Sequence, residues 1–251
     1  MVDAAAPLLA LPPDEAHLWL LDPSAWDDPS LAARFRAWIT PAETARMERY
    51  VFARHRHEYL ATRALCRAVL SRYVAVDANA WRFVSNAWGR PEVASPVAPW
   101  LRFNLSNADG LLACLVARER DVGVDVEDTA RRVDTQAMAS QVFAPAEVAA
   151  LRNLNPAEHR ARFFHYWTLK EAYIKARGMG LALPLDGFAF DLDASDGVPR
   201  IAIDSSLCDD AAGWQFVQLR PTPRHQVAVA LRRGSDGDLR VVVHAAADLL
   251  R

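Results

Sequence analysis

Hydrophobic positions along this chain keep two periods, which alternate. Leu60, Ala64, Leu65, Ala68 and Val69 recur at three-to-four spacing, the stripe of a half-buried helix. Ahead of them, Thr40-Pro41-Ala42-Glu43 supplies an N-cap, a proline at the first helical position and a capping-box glutamate. This pattern predicts helix from Thr40 to about Tyr73, broken near residues 52–57. The period then changes. Trp81–Ser85 reads as a strand, Gly89-Arg90-Pro91 as a turn, and Leu101–Leu105, Leu111–Ala117 and Val122–Glu127 as three further strands. Helical spacing returns over Pro145–Leu154. Asn155-Pro156-Ala157-Glu158 then opens a helix that runs to about Arg177 and stops at Gly178. Strands resume at Phe188–Leu192, Ile201–Ile203, Trp214–Leu219, Val227–Leu231 and Leu239–His244.

The order is helices then strands, twice, which predicts an α+β fold. Ala113–Arg118 (ACLVAR) and Val227–Arg232 (VAVALR) fall late in each half and are faintly alike, as a duplicated unit would be. The chain of 251 residues then divides into halves at 1–121 and 122–251.

Composition narrows the class. Hydrophobic residues at 52% and charged residues at 24% exclude a disordered or fibrous chain. No apolar run is long enough to span a membrane, and the acidic start MVDAAAPLLALPPDEAHLWLLD lacks a secretory signal's basic region. Three scattered cysteines, Cys66, Cys114 and Cys208, make neither a disulfide framework nor a zinc site and suit the cytoplasm. A net charge of -2 gives no nucleic-acid footprint. Locally the charge is uneven: residues 1–39 carry a net -4 and residues 40–72 a net +4, a basic stretch suited to a phosphate-bearing ligand or an acidic protein. Of the 29 basic residues only Lys170 and Lys175 are lysines, five apart in one segment. In a chain that otherwise uses arginine, that placement marks the segment for chemistry that a guanidinium does not do.

Val122-Gly-Val-Asp-Val-Glu127 alternates strictly, so Gly123, Asp125 and Glu127 share one strand face. Two carboxylates on one face, with no cysteine pair or histidine beside them, suit Mg²⁺ or Mn²⁺ over zinc; a half-exposed edge strand gives the same alternation. On the helix, Trp167, Lys170 or Glu171, Ile174 and Lys175 recur at helical spacing, and Glu171 and Lys175 are placed for an i,i+4 ion pair. Arg63 in the basic helix and Arg90 in the turn are candidate phosphate contacts or solvated arginines. Ser106 and Asn107 end a strand, as phosphate donors or as a turn. No P-loop, GxGxxG or GxSxG motif is present.

FNLSN, GVDVED and WTLKEAYIKARGMGL, in that order and spacing, resemble the surfactin-type 4′-phosphopantetheinyl transferases over about residues 40–190. The resemblance implies two pseudo-symmetric α+β halves with the active site between them, holding Mg²⁺ (Mn²⁺ as the alternative) and coenzyme A. It implies transfer of the phosphopantetheine arm to a serine of an apo acyl or peptidyl carrier protein, itself acidic, by a monomeric cytoplasmic enzyme. Asp125, Glu127 and Glu171 then match the metal acids. Glu171 and Lys175 match the catalytic pair, and Arg63, Arg90, Ser106, Asn107 and Lys175 the coenzyme A contacts. Asn107 departs from the family, which usually has histidine there. A coenzyme A-binding module without catalysis and a Mg²⁺-dependent nucleotide phosphodiesterase are the alternative functions. Lys175, one turn beyond Glu171, is the chemical lysine, and Lys170, roughly 140° away around the helix, is structural.

Overall fold

The computed structural model describes residues 7–95, 98–235 and 237–250. In chain order its elements are β1 (Glu15–Leu21), α1 (Pro29–Trp38), α2 (Pro41–Glu48), α3 (Ala53–Leu70), β2 (Arg82–Ser85), β3 (Pro91–Ser95), β4 (Leu101–Ala108) and β5 (Leu111–Arg118). There follow β6 (Val122–Asp128), α4 (Thr135–Val142), α5 (Pro145–Arg152), α6 (Pro156–Arg177), β7 (Phe188–Asp191), β8 (Arg200–Ile203), β9 (Trp214–Thr222), β10 (His225–Arg232) and β11 (Arg240–Ala245). No helix among the described residues is long and apolar enough to cross a membrane.

Two compact units form. The first comprises Met1–Val84, Pro91–Glu119 and Arg240–Arg251; the second comprises Ser85–Arg90 and Arg120–Leu239. The second unit thus includes Ser85–Arg90, at the tip of β2–β3, and starts its main segment at Arg120, while the first includes the C-terminal strand β11.

The first unit is built on a sheet of order β11-β1-β5-β4. Strand β1 lies parallel to β11 and antiparallel to β5, with Leu18 opposite Val243 on one side and Leu115 on the other. The helical stripe appears where its spacing places it: Leu60, Ala64, Leu65 and Val69 on α3 share a core with Leu112, Cys114 and Val116 of β5. Thr40 and Glu43 form the reciprocal capping box that opens α2.

A strand and an α-helix precede Thr40 although the hydrophobic pattern predicts neither. Strand β1 is covered on both faces, so EAHLWLL loses the alternation that marks a strand. Helix α1 opens on Asp28 and Pro29, a cap-and-proline pair like that of α2. The break in the first helical stretch falls at residues 49–52, just ahead of the predicted one. There Arg56 Nη1 donates to the carbonyls of Tyr50 and Val51 at 2.7 and 3.0 Å, closing the turn.

The second unit has a sheet of order β6-β10-β9, all antiparallel, with α6 packed on β6 and β10. The two like hexapeptides lie on β5 and β10, the buried inner strands of their sheets. Helix α6 is capped by Asn155 and ends at Gly178, whose φ of +64° is the left-handed geometry that favours glycine there. Its inner face carries Phe163, Phe164, Leu169, Ala172 and Tyr173, all fully buried.

Lys170 is fully buried in that core. Its Nζ lies 2.8 Å from Glu147 Oε2 and donates to the carbonyls of Leu185 and Phe188 at 2.7 and 2.6 Å. Glu147 also accepts the backbone N–H of Ala144 and of Phe190, so one ion pair ties α5, α6 and β7 together. Burial holds the lysine below its ordinary pKa and the glutamate above its own, each opposed by the partner's charge. Removing one member of such a pair strands a buried charge. Lys170→Ala is expected to lower the unfolding free energy by about 3–5 kcal/mol in urea titration. Lys170→Met combined with Glu147→Gln should recover at least part of that loss, because the pair then leaves no buried charge and glutamine still accepts one of the two N–H groups.

Candidate active site

The site begins with an absent side chain. A Cβ on Gly123 would lie 2.0 Å from the Ala172 carbonyl oxygen and 2.5 Å from the Ala176 nitrogen, so α6 rests its backbone directly on β6. Strand period two then turns Asp125 and Glu127 toward the same helix. Helical period carries Trp167, Glu171 and Lys175 along one face, four residues apart.

The two faces meet in named bonds. Lys175 Nζ lies 2.7 Å from Asp125 Oδ1, and Trp167 Nε1 donates to Glu127 Oε1 at 2.7 Å. The lysine's ion pair is thus with the strand acid, and its charge reaches Glu171 as a weaker electrostatic pull. The reason is burial: Asp125, 5% exposed, needs a counter-charge more than the more accessible Glu171 does.

The charge of Asp125 opposes the ionisation of its two carboxyl neighbours. Burial raises the Glu127 pKa, and the charge of Asp125 adds to it; Arg131 and the Trp167 hydrogen bond pull the other way. For Glu171, burial and then Asp125 push the pKa to about 7, with Lys175 opposing and Glu127 adding to the rise. A hard, all-oxygen, mutually repelling set is what a small divalent cation relieves. Among the described residues no three such side chains close into a ready-made metal cage. Mg²⁺ is commonly held by carboxylates together with substrate phosphates and water. The residues present fit such an ion.

The far end of α6 is fastened on two sides. Gly89, at φ +90°, turns the hairpin tip so that Arg90 Nη1 donates to the Ala176 carbonyl at 2.9 Å. The same guanidinium lies 3.6 Å from Asp121, and Asn86 Nδ2 donates to the Gly178 carbonyl at 2.9 Å. Asp209 accepts from Tyr173 Oη, Arg177, Arg232 and Trp214 Nε1, all within 2.8 Å. Lys175 therefore projects from a fixed last turn.

The second unit thus draws Asp125, Glu127, Glu171 and Lys175 together, with Arg90 against the helix end. Arg63, Ser106 and Asn107 belong to the first unit. Arg63 lies over the Tyr59 ring at 5.0 Å, with Nε 3.9 Å from Glu43. On β4, Ser106 is buried and Asn107 exposed, and strand alternation turns their side chains to opposite faces. Arg131 was not among the residues the sequence singled out. Its one signal is an arginine four residues after the second strand acid, and its Nε lies 2.7 Å from Glu127 Oε2.

Comparison with known proteins bears on this arrangement. Residues 121–231 match the 4′-phosphopantetheinyl transferase superfamily, and residues 25–120 match the family described as 4′-phosphopantetheinyl transferase, N-terminal. The chain is 32% identical over 227 residues to the 4′-phosphopantetheinyl transferase HetI of Nostoc sp., covering 90% of this chain and 91% of that protein. The chain belongs to the 4′-phosphopantetheinyl transferase superfamily. A phosphopantetheinyl transferase of Thraustochytrium sp. is 30% identical, covering 90% of this chain and 82% of its own. The 4′-phosphopantetheinyl transferase Sfp of Bacillus subtilis is 30% identical over 69% of this chain and 75% of its own. Strand β6 and helix α6 both lie inside the segment matched to the superfamily.

The raised Glu171 pKa fixes the sign of a stability effect. Between about 4.5 and 7 the folded state binds more protons at this group than the unfolded chain, so stability falls as pH rises through that window. Glu171→Gln removes the cost. Without added metal, the variant is expected to exceed wild type by about 1–2 kcal/mol at pH 8, with the difference shrinking toward zero at pH 5. Thermal melts at the two pH values check this.

Proposed function

We propose that this transferase moves the 4′-phosphopantetheine arm of coenzyme A to a serine of an apo acyl or peptidyl carrier protein, releasing 3′,5′-ADP. The observation that carries the reading is the meeting of Asp125, Glu127 and Glu171 with Lys175 across β6 and α6. Asp125, Glu127 and Glu171 hold Mg²⁺, or Mn²⁺ in its place. When bound, the ion offsets the charge of the diphosphate and of the departing phosphate.

The residues of the chain do the remainder. The carrier's serine oxygen attacks the phosphorus that bears the pantetheine. Its bond forms as the bridging P–O bond breaks, and the bridging oxygen leaves on 3′,5′-ADP. The serine proton passes to the Glu171 carboxylate, which acts as general base. Lys175, held on a fixed helix turn, places a positive charge where the pentavalent phosphoryl oxygens gather charge. Arg63, Arg90, Ser106 and Asn107 supply contacts to coenzyme A, Ser106 and Asn107 from opposite faces of β4 and so to different parts of it. Asn107 donates a hydrogen bond there without a charge. The net +4 of residues 40–72 steers an acidic carrier toward the enzyme.

Apo carrier protein, coenzyme A and Mg²⁺ incubated with the enzyme should yield a carrier heavier by one phosphopantetheine in intact mass. Release of 3′,5′-ADP without carrier would support the phosphodiesterase, and tight coenzyme A binding with no product the non-catalytic module. Asp125→Ala is expected to lower kcat/KM at least about a hundredfold. Lys175→Arg should lower kcat more than it raises KM, since it keeps the charge but changes the shape and proton affinity of the head group. Near-wild-type turnover by either variant would remove the residue from the mechanism.

A further inference from the structure

The mechanism above leaves one charged neighbour of the acids without a task. Arg131 pairs with Glu127: Nη2 donates to Oε1 at 3.3 Å, and Nε lies 2.7 Å from Oε2 as an ion-pair contact. It is no freely swinging surface arm. Its guanidinium lies over the Phe164 ring at 5.5 Å, and its own carbonyl accepts a bond from Arg160 Nη2. Arg160 Nε also donates to the Thr129 carbonyl at 2.9 Å, so the loop that carries Arg131 is pinned to α6.

On the same face, Lys175 sits on Asp125. Three carboxyl groups are thus met by two built-in cations. A divalent ion and a guanidinium compete for the same carboxylate oxygens, and arginine keeps its proton at any working pH, so the competition is permanent.

We propose that Arg131 sets the metal affinity of the site by competing with a divalent ion for the Glu127 carboxylate, so that the acids hold the ion more weakly by themselves than together with the diphosphate of coenzyme A. This rests on the reading of Asp125, Glu127 and Glu171 as the metal-holding acids. The diphosphate brings the negative charge and the oxygen ligands that the protein withholds.

Calorimetric titration of the full chain with Mn²⁺, alone and with saturating coenzyme A, tests the proposal. Wild type is expected to bind Mn²⁺ alone at least about tenfold more weakly than with coenzyme A. Arg131→Gln should bind Mn²⁺ alone about threefold to tenfold more tightly than wild type, the range for removing a neighbouring cation from a partly exposed carboxylate. Arg131→Lys, which keeps the charge, should stay near wild type. A second readout is thermal melting. Arg131→Gln should melt below wild type without Mn²⁺ and recover more of the deficit when Mn²⁺ is added. An arginine that only braces the loop would lower both melts equally and leave Mn²⁺ affinity unchanged, which overturns the proposal. Wild-type binding of Mn²⁺ alone as tight as with coenzyme A, and abolished by Asp125→Asn, overturns the proposal but keeps the metal reading. No Mn²⁺ binding under any condition overturns both.

Discussion

Helix α6 rests on strand β6 at Gly123, where no further carbon atom fits. The chemistry of the chain depends on that contact. A helix packed on a sheet through ordinary side chains stands about 10 Å off it, and acids on the strand would then sit beneath side chains rather than beside them. With backbone against backbone, Asp125 reaches Lys175 directly and Glu127 reaches the indole of Trp167. Crowding of the acids follows from the same closeness, and so does the raised Glu171 pKa of about 7.

The rest of the second unit holds this contact still. Large aromatics fill the inner face of α6, the Lys170–Glu147 pair locks its middle, and Asp209 and Arg90 fasten its last turn. The two lysines divide along these lines. Lys170 faces inward with no exposed surface, and Lys175 keeps 28% of its side chain exposed beside the acids. Five residues on a helix are enough to separate a buried strut from a reagent.

Much of this is legible in the sequence because it is local. Caps at Thr40 and Asn155, the stop at Gly178 and the alternation through GVDVED are written within a few residues of one another, and each element forms there. Long-range facts are hidden for a physical reason. Strand β1 shows no alternation because neighbours bury both its faces, and its parallel partner β11 lies more than two hundred residues away. The i,i+4 spacing pairs Lys175 with Glu171, but a buried aspartate across the interface wins the ion pair. FNLSN places Ser106 and Asn107 side by side in sequence, and an extended strand then turns them apart. Arg131 carries no pattern of its own, since its role exists only once Glu127 has a fixed position.

Gly123→Ala puts the central contact to its most direct test, with kcat/KM for transfer to an apo carrier protein measured on the fraction that circular dichroism shows to be folded. One methyl group against the Ala172 carbonyl must shift α6 off β6 and separate Lys175 and Glu171 from the strand acids. Transfer by the folded variant at least about a hundredfold slower than wild type is the expected result. Folded Gly123→Ala protein that transfers at the wild-type rate would contradict the dependence of the site on this contact.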